Sequence, residues 1–71
     1  MKYKQIANEL DELVKVMDEE TNFICQRIEF IQCGQLSKAR FIEEKVLPII
    51  QATIRKMIIR LEKLAANNNE Q

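Results

Sequence analysis

The chain has no histidine and no tryptophan, and only one glycine, one proline and two cysteines among its 71 residues. Each scarcity excludes something. Without histidine, and with only two cysteines, zinc-site spacings cannot be assembled. Cys25 and Cys33 lie eight residues apart, about 12 Å of rise on one helix, beyond the ~7 Å that a disulfide spans. They have neither redox spacing nor a base, so buried or idle thiols are expected, and unpaired thiols suit a reducing cytoplasm. Lys plus Arg equals Asp plus Glu, eleven each, so no net field draws the chain to phosphate backbones or anionic lipid. The apolar-rich runs from Val46 to Ile54 and from Leu64 to Ala66 fall far short of the ~20 residues of a membrane span. The opening Met1-Lys2-Tyr3-Lys4-Gln5 leads into mixed charge and does not read as a secretory signal.

What is present is helical periodicity. Ile6, Leu10, Leu13, Met17, Ile24, Ile28 and Ile31 recur at steps of three, four and seven, a heptad-like stripe interrupted at Glu20/Thr21. Glu20 shares a face with Arg27; either Glu20 occupies the seam as a register-setting charge, or Thr21 fills it and Glu20 points outward. Gly34 falls where a helix would end in a positive φ. Ser37 then offers a cap, with Arg40 at its third position denying a capping box. Beyond it Ala39, Ile42, Val46, Ile50, Ile54 (or Thr53), Met57, Leu61 and Leu64 form a second stripe. Pro48 interrupts that segment, yet the stripe keeps its phase from Val46 to Ile50. A kinked helix running through is favoured over a break that would start a third helix at Pro48.

The expected architecture is an all-α antiparallel two-helix hairpin: helix 3–32, turn 33–36, helix 37–66 kinked at Pro48, and a disordered tail 67–71. A chain this short buries only about 60% of its unfolded surface and is marginal alone. Val16, Phe23 and Phe30, seven apart, form a second apolar row on helix one, and Phe41, Ile49, Ile58 and Ile59 lie outside the main row of helix two. Rows of surplus apolar residues mark an interaction surface. The expected assembly is a homodimer in which Val16, Phe23, Phe30, Phe41, Ile58 and Ile59 lie between two hairpins of a four-helix bundle.

No catalytic, cofactor-binding or metal-binding residues are assigned. The acids Glu9, Asp11, Glu12 and Asp18-Glu19-Glu20 point around the helix axis and read as a solvated face. Arg55, Lys56, Arg60 and Lys63 make a basic patch, read first as charges favoured by the C-terminal helix dipole. These features point to a non-enzymatic, protein-binding helical module in the cytoplasm, a homo-oligomer with helical protein partners and no membrane. Nucleic acid is not the expected partner. The alternatives left open are a small Rop-like RNA-binding hairpin dimer using that patch, and a purely structural self-assembling protein.

The stretch Leu13-Val14-Lys15-Val16-Met17-Asp18-Glu19-Glu20-Thr21, followed after a turn by Glu43-Glu44-Lys45-Val46-Leu47, resembles the opening helices of FlgN-type flagellar export chaperones. The resemblance covers roughly residues 6 to 60. It implies a cytoplasmic chaperone-like protein that binds helical segments of export substrates, and it transfers no catalytic residue.

Overall fold

A computed structural model describes the backbone of residues 2–69, with side chains described from Tyr3 to Asn67. Among the described residues there is helix and turn but no strand. α1 spans Lys2–Gln32. The second arm comprises α2 (Leu36–Phe41), a π-helical turn (Ile42–Val46) and α3 (Leu47–Asn69). The two arms pack as a hairpin, with Glu9 reaching Arg60 and Arg27 reaching Glu43.

The turn is a Schellman motif. Gly34 has φ +76°, the left-handed conformation that glycine adopts without penalty. The Gln35 N–H donates to the Phe30 carbonyl at 2.8 Å, and the Gly34 N–H donates to the Ile31 carbonyl at 3.1 Å. Two orphan carbonyls of α1 are thereby satisfied. The expected Ser37 cap does not form. The N-cap is Gln35, without a side-chain cap bond, so Ser37 lies inside the first turn, because the Schellman geometry lets the next helix start almost immediately.

At Pro48 the arm runs through, and the means is the π-turn. Ile42 and Leu47 both keep right-handed helical dihedrals, and the Leu47 N–H donates to the Ile42 carbonyl five residues back. A π-turn holds one more residue than an α-turn. That residue explains the spacing Val46, Ile50, Ile54, which is four-four where a heptad needs four-three. Without it, Ile49, Thr53, Lys56, Arg60 and Lys63 would turn inward and bury three cations. With it, Ile50, Ile54, Met57, Leu61 and Leu64 face α1, all buried or half-buried. The expected stripe of the second arm is the observed one.

The expected tail is corrected in part. Asn67–Asn69 continue α3, although asparagine is a poor helix former; positions 70 and 71 lie outside the described residues.

Packing is thin. The molecule measures 55 × 16 × 11 Å with a radius of gyration of 16.2 Å, against about 11 Å for a compact domain of this length. Its smallest dimension is one helix diameter. Only Ala39, Ile42 and Ile50 are buried among the described residues.

Candidate interaction surface

α1 carries two heptad rows one residue apart. Ile6, Glu9, Leu13, Val16, Glu20, Phe23, Arg27 and Phe30 are half-buried and face the second arm. Each is followed by a member of the other row: Ala7, Leu10, Val14, Met17, Thr21, Ile24, Ile28 and Ile31, all exposed. One residue is about 100° of rotation, so the second row faces sideways out of the hairpin.

This changes the expected assignment on α1 in part: of the expected main stripe only Ile6 and Leu13 are half-buried in the seam. Val16, Phe23 and Phe30, expected between hairpins, are half-buried within one hairpin. The exposed row is made instead of Leu10, Met17, Ile24, Ile28 and Ile31, which were expected to face inward; Leu10 is 47% and Ile31 44% exposed. The inner row brings Phe23 and Phe30 against the second arm, and its charges are answered there. The charged members of the inner row find partners on the second arm: Arg60 Nη1 lies 3.3 Å from a Glu9 oxygen, and Arg27 Nε 3.4 Å from Glu43 Oε2. The Arg27 Nε is itself buried and out of hydrogen-bonding alignment, so that contact is charge proximity. Glu20 takes the inner seam, half-buried, with no ion pair among the described residues. Thr21 joins the outer row, where its hydroxyl donates to the Met17 carbonyl at 3.1 Å and so spends its donor within its own helix.

The two sides of the hairpin differ. On one side an open groove of about 470 Å³ is lined by Phe23, Gln26, Phe30, Ser37, Lys38, Phe41, Ile42 and Val46. Lys38 Nζ sits 5.5 Å from the Phe30 ring centroid, within cation–π range. Gln26, Lys38 and Phe41 each precede an inner residue by one, so positions of that kind share this side. On α1 they continue as Asn22, Glu19, Lys15, Glu12 and Asn8, all exposed and polar. On the second arm they include Lys45, Lys56, Arg60 and Lys63. The opposite side carries the apolar row of α1.

The remaining expected residues are placed as follows. Phe41 is exposed at the groove rim, and Ile58 and Ile59 are exposed on α3, one helical step apart. Lys56, Arg60 and Lys63 share one face, with Arg60 engaged by Glu9, while Arg55 falls on the other side. Lys38 and Lys45 extend the basic row toward the turn; the expected patch gathered only the cations near the end of the second helix. Cys25 and Cys33 are free and exposed. Among the described residues no cluster of three or more metal-ligating side chains occurs, and no helix is long and apolar enough to cross a membrane.

Comparison with protein-family models, curated proteins and solved structures finds no match to this chain.

Proposed function

We propose that this chain is a non-enzymatic helical protein-binding module that acts through the apolar row of α1, first of all on a second copy of itself, two hairpins joining into a four-helix bundle. One observation carries the reading: α1 is exposed on both flanks, and one flank is apolar at nearly every position while the other is polar at every position. A helix solvated on both flanks has no use for Leu10, Val14, Met17, Ile24, Ile28 and Ile31 in one row broken only by Thr21. Each large side chain taken from water contributes about 1.5–3 kcal/mol when fully covered. That surplus is what a hairpin with three buried side chains among the described residues lacks.

Sedimentation of the purified chain tests this. A dimer at micromolar concentration is expected, insensitive to salt; a monodisperse monomer overturns self-association. A chaperone-like role, suggested by the likeness to FlgN-type helices, would place a substrate helix on the same row and would show as a monomer that captures an amphipathic helix.

The RNA-binding reading has its own observation, the exposed basic row of Lys45, Lys56, Arg60 and Lys63. The acidic flank of α1 beside it and the engagement of Arg60 by Glu9 weaken it. Retention of nucleic acid that falls steeply with salt and is lost in Lys56→Glu would favour it.

A further inference from the structure

We infer that the second copy docks α1 against α1, antiparallel, about a two-fold axis beside Met17, so that the two hairpin turns lie at opposite ends of the bundle. This rests on the self-association proposed above and specifies its seam and its direction.

The seam follows from what each arm shows on the open side. There α1 presents Leu10, Val14, Met17, Ile24, Ile28 and Ile31, with the hydroxyl of Thr21 already bonded to its own helix. On the same side the second arm presents residues one step after its inner row, among them Leu47, Gln51, Arg55, Ile58 and Glu62. Packing α1 on the partner's α3 would press Gln51, Arg55 and Glu62 onto an apolar row and strip them of water. Packing α1 on α1 sets apolar on apolar along the row except at Thr21. The electrostatic gain of the first arrangement, between acidic α1 and basic α3, is that of surface ion pairs. Such pairs contribute about 0–1 kcal/mol each, less than one buried Leu or Ile. The apolar match decides the seam.

The row itself is built for this. It alternates four- and three-residue steps from Tyr3 to Ile31, four heptads with Met17 at the midpoint. It stands about 100° from the inner row, the near-right angle at which a helix in a four-membered bundle meets its two neighbours.

Direction follows from charge and from a second apolar pair. α1 carries two acidic clusters, Glu9, Asp11 and Glu12 on one side of Met17 and Asp18, Glu19 and Glu20 on the other, with Lys15 between them and Lys2 and Lys4 ahead of both. A parallel pair would set each acidic cluster beside its own copy; an antiparallel pair about Met17 sets Asp18-Glu19-Glu20 at the level of Val14-Lys15-Val16 and residues 9–12 at the level of the uncharged 22–25. The ion pairs Glu9–Arg60 and Arg27–Glu43 fix the level of the arms, with Met17 opposite Ala52 and Thr53. That level lies midway between Leu47 and Ile58, the two large apolar residues that the second arm shows on this side. A two-fold axis at Met17 therefore brings Leu47 of one copy onto Ile58 of the other as well. One axis satisfies both arms.

The test uses the protein's own cysteines. In the full chain carrying Cys25→Ser, a nitroxide on Cys33 should give an inter-label distance of about 48 Å, sixteen residues of rise on each side of Met17. With Cys33→Ser, a label on Cys25 should give about 24 Å by the same geometry. Short distances at both sites, in a chain that sediments as a dimer, overturn the antiparallel seam and leave self-association standing. Met17→Glu puts two carboxylates at the axis and should shift the dimer to monomer at least tenfold in dissociation constant, with helicity by circular dichroism kept. An unchanged dimer in that variant places the seam elsewhere and overturns the inference. A monomeric parent chain overturns the self-association itself.

Discussion

Arg60 Nη1 donates to both carboxylate oxygens of Glu9, at 3.3 and 3.4 Å, across 51 residues of sequence. The Glu9 side chain is largely covered whereas that of Arg60 is mostly exposed. With Arg27–Glu43 nearer the turn, this contact sets the register of the hairpin. The inner seam of α1 tolerates charge because the second arm answers it at two levels.

The first prediction concerns that contact. A double-mutant cycle with Glu9→Gln and Arg60→Gln should give a coupling of up to about 1 kcal/mol, as for a partly exposed pair. Added salt should reduce it. Thermal melts at low and high ionic strength measure both, and a zero coupling in low salt would remove the pair as a register device.

Glu20 supplies the second. It occupies the inner seam half-buried between the levels of Val16 and Phe23, with no ion pair among the described residues. Replacing an unanswered polar group by an apolar one of similar size removes its desolvation cost, about 1 kcal/mol or more. Glu20→Leu should therefore raise the melting temperature, while Thr21→Leu, on the outer row, should strengthen association instead. The two readouts, melting and sedimentation, separate the rows.

A third test addresses the π-turn. One alanine inserted between Glu44 and Lys45 rotates all that follows by about 100°. Lys56, Arg60 and Lys63 would then be driven toward α1 and Met57, Leu61 and Leu64 away from it. Loss of the cooperative melt by circular dichroism is expected. Retention of the parental melt would mean that the phase is not set by the residue count of this turn.

Gly34 gives the fourth. A Cβ there would meet nothing within 4 Å, so any cost of Gly34→Ala comes from the backbone alone. Holding alanine in the left-handed region costs about 1–2 kcal/mol, seen as a lower melting temperature. Gly34→Asn should cost less, since asparagine tolerates that region.

Much of this was legible in the residues. The helical class, the reversal at Gly34 and the inner row of the second arm were all readable, with only the choice of Ile54 over Thr53 left to the structure. Apolar spacing and a lone glycine are local signals, and local signals survive without a partner in view.

On α1 the sequence alone determined that two apolar rows exist, one residue apart, but not which of them faces in. Both rows have legitimate heptad spacing, and the expected stripe drew on both, Ile6 and Leu13 from one and Leu10, Met17, Ile24, Ile28 and Ile31 from the other. Tertiary structure decided otherwise: with Phe23 and Phe30 packed toward the second arm, Arg60 and Glu43 arrive from it to answer Glu9 and Arg27 in the same seam. The same holds for Glu20 against Thr21, and for the π-turn that absorbs one extra residue beside Pro48. A row's periodicity is a property of one helix; its burial depends on which charges and which surfaces the neighbouring helix brings to it.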